Sequence, residues 1–388
     1  MSDVYIIGAG QVPVTREAVQ SLREMSASAV TNALKDANVE KVGALYIGNM
    51  ISGRLCSQNQ LGAFTAMAAG LRGIEAVSVE AACGSGAAAA RWGFMAVSGG
   101  FHDSVVVAGI EMMTHMPREE TTTALATASD WDFEGAHGET FVSLNSKIMS
   151  AYMEKYGVSG DAFGGFPITA HENACGNPNA LFHKRIDSEV YLKSQHIDGP
   201  LRLFDASPIC NGSAALVLGN RKMALAAQRE GKPVVQITAS SMGTDSLGLH
   251  ERKDPLVLEG MRSSVGAAYE QAGLSPKDID VFELHDAYSI MATLSIEMAG
   301  FAKPGQGTWL ARDGEIRRDG SIPICTMGGL KARGHPVGAS GIYQMVEAYQ
   351  QLAEQAGENQ VANARIAMAQ NIGGTGATVV THILERTH

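Results

Sequence analysis

At 388 residues the chain can bury a large core and is long enough for two domains, or for two tightly packed halves. The 40 Asp and Glu outweigh 30 Lys and Arg for a formal net charge of −10, and no Lys/Arg block occurs, which argues against a general nucleic-acid binder. No apolar run reaches the roughly 18–20 residues of a bilayer span. Met1-Ser2-Asp3-Val4-Tyr5-Ile6-Ile7-Gly8 turns acidic too early for a signal peptide, and Glu385-Arg386-Thr387-His388 carries no peroxisomal address. The 5 cysteines contain no C-x-x-C pair, and an odd number in a long chain predicts free thiols and a cytoplasmic protein.

Apolar periodicity predicts strands at 4–7, 45–47, 77–80 and 104–108, with helices at 22–36, 60–69 and 86–97 between them. Such alternation predicts a mainly parallel sheet with helices on its faces. From about 114 to 203, stretches rich in Thr, Ala, Gly and Asp break the pattern and read as an inserted loop domain. Helices are expected there at 141–156 and, just after Pro167, at 168–175. Excursions of this kind commonly carry substrate or oligomer contacts. The second half repeats the outline: strands at 234–239 and 281–284, helices at 261–272, 289–299 and 341–354, and a closing strand pair at 365–369 and 377–384. A glycine-rich turn precedes a helix in both halves, at Cys83-Gly84-Ser85-Gly86 and Gly338-Ala339-Ser340-Gly341. That is compatible with an internal duplication and an active site between the halves.

The chemistry points first to Cys83, in Val79-Glu80-Ala81-Ala82-Cys83-Gly84-Ser85-Gly86. A thiol where a strand turns into a helix meets the free N–H groups and dipole of the helix N-terminus, which favour a thiolate. His335, between a glycine and a proline, is the matching base. Taken alone, either side chain fits a buried structural role as well. Cys56, Cys175, Cys210 and Cys325 read as packing residues, and Asp286 as a structural or capping group. His171 and Cys175 share a helix face, but no further ligands have metal-binding spacing, so they too read as structural. Asn211-Gly212-Ser213 matches a glycosylation sequon in a chain without a secretory signal. The 18 methionines fit a core or an acyl pocket.

Four segments in this order resemble the thiolase superfamily over essentially the whole chain: the Cys83 motif, His285-Asp286-Ala287-Tyr288, Gly334-His335-Pro336-Val337-Gly338-Ala339-Ser340-Gly341, and Gly373-Gly374-Thr375-Gly376. The His-Asp form, with Gly328-Gly329-Leu330-Lys331, resembles the sterol-carrier-protein-type and archaeal branch. The resemblance implies a duplicated α/β thiolase fold in five αβαβα layers. Residues 1–113 with 204–222 would form one half, 223–388 the other, and 114–203 the inserted loop domain. Cys83 would be the nucleophile, His335 its base and part of a first oxyanion hole, and His285 the rest of that hole. The N–H groups of Cys83 and Gly373 would form a second hole. Coenzyme A would be a substrate, with no metal or redox cofactor. A homodimer or homotetramer, and a small zinc-ribbon/OB-fold partner protein, are implied as well.

One part of the family pattern is missing. The second cysteine that moves a proton at the substrate α-carbon is replaced at each of its usual places, by Asn371, Ala287 and Arg333. None is a general base at neutral pH. His285 is the first substitute, with Tyr288 and Cys325 behind it. The expected reaction is thiolytic cleavage of a 3-ketoacyl-CoA or the reverse Claisen condensation. The alternatives are a thiolase-like lyase performing retro-aldol cleavage and a non-catalytic scaffold subunit.

Overall fold

The computed structural model describes residues 2–387, so Met1 and His388, the outer limits of the two expected halves, lie outside the described residues. Its main sheet contains β1 (Val4–Gln11), β2 (Ala44–Gly48), β3 (Glu75–Val79), β4 (Ser104–Glu111), β5 (Gly212–Asn220), β6 (Val235–Thr244), β7 (Val281–Glu283), β8 (Ile366–Gly373) and β9 (Thr378–Arg386). They pair in the order β3-β2-β4-β5-β1-β6-β9-β8-β7. The seam between β1 and β6 is short and antiparallel, joining Val4, Tyr5 and Ile6 to Ile237, Gln236 and Val235. Outward from it the two sides match. Each places one antiparallel strand, β5 or β9, next to its first strand. Even the outer strand β3 has a counterpart, the isolated parallel bridge of Phe282 to Ile324.

The sheet is mixed, not mainly parallel as the alternation predicts. Only β2–β3, β2–β4 and β7–β8 are parallel. The sequence reading omits β5, a continuous run of buried residues from Gly212 to Gly219 that returns antiparallel between β1 and β4. A strand buried on both faces shows no alternation to distinguish it from a buried helix segment.

Main-chain chemistry sets the helices. α1 (Leu22–Ala37) opens with a reciprocal capping box, in which Ser21 Oγ accepts from Glu24 N–H and the Glu24 carboxylate accepts from Ser21 N–H. It closes at Asn38 in the left-handed region, φ 56°. The others that matter here are α2 (Ser85–Ser98), α3 (Phe141–Tyr156), α4 (Gly165–Ala174), α5 (Glu259–Ala272), α6 (Ser289–Met298) and α7 (Ser340–Leu352). Pro167 sits within the first turn of α4, where a missing N–H costs nothing.

Alternate residues of β1 and β4 face opposite cores. Val4, Ile6, Val105 and Val107 join α2 and α7 in the central core, whereas Tyr5, Ile7, Val106 and Ala108 join α1 in an outer one. α5 and α6 cover the far side with Met368, Ile372, Val379 and Ile383. The layers are thus helix, sheet, helix, sheet, helix. The N-termini of α2 and α7 nearly touch. A Cβ on Gly341 would lie 2.4 Å from the Ala87 nitrogen, and one on Gly86 2.8 Å from the Gly338 oxygen. Glycine alone permits that approach, which brings the Cys83 turn against the His335 loop.

Candidate active site

Cys83 stands on a constrained elbow between β3 and α2, 8% exposed. Ala82 before it has φ 52°, a left-handed conformation that costs an L-residue about 1–2 kcal/mol. Local bonds hold it there. Ala82 N–H donates to the Glu80 carboxylate at 2.6 Å. The Ser85 hydroxyl donates to Ala82 O at 2.6 Å and accepts from Ala81 N–H at 3.0 Å. Burial pushes the Cys83 thiol up to about 12, and the Glu111 charge acts in the same direction. Hydrogen bonds from the N–H groups of Cys83 and Gly374 pull it back only in part. The resting group is therefore a thiol. The expected thiolate preference at the helix start is outweighed by desolvation of the charged form.

The two histidines are held in opposite tautomers. His335 Nδ1 lies 2.7 Å from Ser340 Oγ, whose own proton goes to Pro336 O at 3.2 Å. Ser340 must then accept from Nδ1–H, so Nε2 carries the free lone pair of a base. Burial, then the charges of His285 and Arg333, hold the His335 imidazole well below its ordinary range. At His285, Nδ1 accepts from Asn371 Nδ2–H at 3.1 Å and from Ile372 N–H at 3.3 Å. Its proton therefore sits on Nε2, as a donor. Burial and Arg333 push its pKa down to about 3. The rings stand perpendicular with centroids 5.1 Å apart. Asn371 also donates to Gln344 Oε1 at 2.6 Å, and Gln344 is anchored on Glu283 O and Gln370 O. Asn371, one of the positions where the expected second cysteine is absent, instead fixes the proton of His285.

A cavity of about 730 Å³ unites these groups: Cys83, His285, His335, Ala287, Tyr288 and Gly374 all lie on its wall. Gly373 ends β8 with its Cα packed on the elbow, where a Cβ would lie 2.4 Å from Ala81 O. The glycine on the wall, with its N–H toward the thiol, is Gly374. The segment after β4 supplies Met113, Met116, Arg118, Asn145 and His171. His171 donates from Nδ1 to Lys184 O at 3.0 Å and stacks on Phe182. The Cys175 thiol donates to the His171 carbonyl, and among the described residues no group of three or more His, Cys, Asp or Glu side chains is placed to hold a metal ion.

The remaining candidates lie behind the wall. Cys325 is buried, its thiol 3.6 Å from Leu284 O and pushed up by burial and Asp286. Arg333, 0% exposed, pairs with Glu347 at 2.8 Å. Asp286 accepts from Leu330 N–H at 2.7 Å, a structural contact. Asn211 of the sequon is buried, its Oδ1 accepting from Met113 N–H and Thr114 N–H. Among the described residues, no helix is long and apolar enough to cross a membrane.

Sequence reasoning missed Glu111. Its carboxylate accepts from Gly338 N–H at 3.1 Å, Met50 N–H at 2.9 Å, Ile51 N–H at 3.3 Å and Asn49 Nδ2–H at 2.8 Å. It thereby clamps the His335 loop to the first half. Burial pushes it up to about 7 against those bonds. The available signal was an acid closing an otherwise apolar strand.

A thiol on an elbow, an imidazole lone pair, an imidazole N–H and a glycine N–H directed at the thiol around one cavity define an enzyme of covalent acyl transfer. Two family models match the chain, Thiolase, N-terminal domain, over residues 4–222 and Thiolase C-terminal domain-like over residues 241–386. The chain belongs to the thiolase superfamily, and it is an acyltransferase of the thiolase type. It is 40% identical to an acetyl-CoA acetyltransferase of Methanothermobacter thermautotrophicus over 100% of both chains. It is 30% identical to sterol carrier protein 2 of Bos taurus, covering 97% of this chain and 71% of that one. A solved structure titled Ltp2-ChsH2(DUF35) aldolase shares the fold with TM-score 0.86 and 22% identity, over 99% of this chain and 98% of that one.

Proposed function

We propose that this chain cleaves a 3-ketoacyl-CoA with coenzyme A, or runs the reverse Claisen condensation, through an acyl-Cys83 intermediate. The observation that carries this reading is the opposite tautomers of His335 and His285 around Cys83. In cleavage, the Cys83 sulfur attacks the ketone carbon as its proton passes to His335 Nε2. A high thiol pKa beside a low imidazole pKa postpones that charge separation until substrate is bound. The N–H groups of Cys83 and of the 373–374 turn receive the tetrahedral oxygen, and His285 Nε2–H the thioester oxygen. Coenzyme A then removes the acyl group. It enters as a substrate, and the reading invokes no metal or redox cofactor. Arg16 and Arg118, exposed on the cavity wall, suit its phosphates.

The same reading takes 1–113 with 204–222 and 223–388 as the catalytic halves and 114–203 as the substrate-covering insertion, in a cytoplasmic enzyme. It takes the protein as a homodimer or larger oligomer. In support, β3 is an edge strand with Val77 45% exposed, and Trp92 of α2 is 53% exposed. A small zinc-ribbon/OB-fold partner belongs to the proposal, and the similar solved structure, the Ltp2-ChsH2(DUF35) aldolase, has a DUF35 component in its name. The empty second-cysteine positions keep one other reading in view, a lyase for retro-aldol cleavage. Intact-protein mass spectrometry after mixing with acyl- and 3-ketoacyl-CoAs separates the two. A CoA-releasable adduct on wild type and none on Cys83→Ala is the thiolase result. C–C cleavage that survives Cys83→Ala would replace it with the lyase.

A further inference from the structure

We propose that the Tyr288 hydroxyl is the acid and base at the substrate α-carbon, taking the place of the absent second cysteine; this rests on the thiolase reading above. The need is defined by the other candidates. His285 has its Nδ1 filled by two N–H donors, so it offers a proton that a neutral imidazole gives up only as a very weak acid. Cys325 lies behind the wall on Leu284 O. Asn371 and Arg333 are spent on His285 and Glu347, and Ala287 has nothing to transfer. Lys331 reaches the wall, but its ammonium donates to Asp205 O.

Tyr288 differs from all of these. It is half-buried on the cavity wall with Cys83, His285 and His335, and among the described residues its hydroxyl has no hydrogen-bond partner. The backbone beside it is fixed, with Ala206 bridged to Tyr288 and Ser207 N–H donating to Ala287 O at 2.8 Å. The residue is thereby fixed on the wall of the reacting space with its O–H unpartnered. Burial raises the phenol above its ordinary range, and the charge of Cys83 acts in the same direction.

The protons balance. In cleavage, sulfur–carbon bond formation sends the Cys83 proton to His335, the Cα–Cβ bond breaks, and its electron pair goes to Cα. Tyr288 O–H protonates that carbon and becomes phenolate. The phenolate, a stronger base than a thiolate, then takes the proton of the incoming coenzyme A. The CoA sulfur attacks the acyl-Cys83 carbonyl, the Cys83 sulfur leaves, and His335 returns its proton.

The test pairs two reactions on one preparation. Tyr288→Phe is expected to form acetyl-Cys83 from acetyl-CoA within about tenfold of the wild-type rate, because a thiolate is a far better leaving group than a carbanion and depends much less on the Tyr288 proton. Exchange of the acetyl-CoA α-hydrogens in D₂O, and C–C turnover, are expected to fall about 10²–10⁴-fold. Exchange within about threefold of wild type would overturn the assignment and leave His335 as a single base. A wild type that never acylates would instead show that the thiolase reading has failed, taking this assignment with it. Site-specific fluorotyrosine at 288, which lowers the phenol pKa with little change of shape, covers the case of a poorly folding Phe variant. The alkaline limb of turnover should move to lower pH, and a limb that stays in place refutes the role.

Discussion

Replacing Ser340 by Ala removes one oxygen and, with it, the acceptor that sets the tautomer of His335. The bond is 2.7 Å long, with both side chains buried. Without it the imidazole has two choices. It can keep a buried, unpaired Nδ1–H at a cost of about 1–3 kcal/mol, or move the proton to Nε2 and cease to be a base for Cys83. At 1.4 kcal/mol per factor of ten, the lower half of that range predicts about a tenfold fall in the rate of Cys83 acylation. Ser340 touches no substrate in this scheme, so KM should hold while kcat falls. Rapid-quench intact-mass measurement of acyl-Cys83 gives the rate directly. Ser340→Thr, which keeps the hydroxyl, should recover most of it. Acylation of Ser340→Ala at the wild-type rate, or a loss confined to KM, would refute the tautomer argument.

Three further outcomes follow from the buried charges. Alkylation of Cys83 by iodoacetamide should rise about tenfold per pH unit from pH 7 to 9 without a plateau, since its pKa is about 12; a plateau near neutrality would show a stabilised thiolate. Glu111 has its pKa raised from 4.5 to about 7, so its share of stability is complete below about 4.5 and is lost as pH rises through about 7. That share is about 3 kcal/mol, and urea titrations at pH 5 and 8 should show a drop in wild type that Glu111→Gln lacks. Arg333→Cys places a thiol at one of the three positions that lack the expected second cysteine, yet it leaves Glu347 as an unpaired buried charge. It should destabilise the fold by about 3–5 kcal/mol and yield no gain in turnover, as denaturation and activity assays would show.

Much of the architecture was legible because it rests on local rules. The helix expected at 22–36 from apolar periodicity is found at 22–37, and the glycine-rich turns at 83–86 and 338–341 do lead into helices, α2 and α7. The four motifs carried the family and brought Cys83 and His335 forward. Two features resisted. β5 has both faces buried, so its pattern lacks the period of a strand, and its antiparallel insertion is a matter of long-range pairing. Glu111 contacts residues 60 and more positions away, beyond any local pattern.

By itself, then, the sequence determined which residues are candidates for the chemistry, since a nucleophile, an imidazole and glycine turns are properties of residue type and near neighbours. Protonation was decided only by the tertiary structure. Cys83 at a helix start reads locally as a thiolate, but enclosure by both halves reverses that balance. Asn371 reads locally as the loss of a catalytic group. In the folded chain it is the donor that, with Ile372 N–H, leaves the His285 proton on Nε2. Solvation and hydrogen-bond direction depend on groups far apart in the chain, and only folding brings those groups within reach of one another.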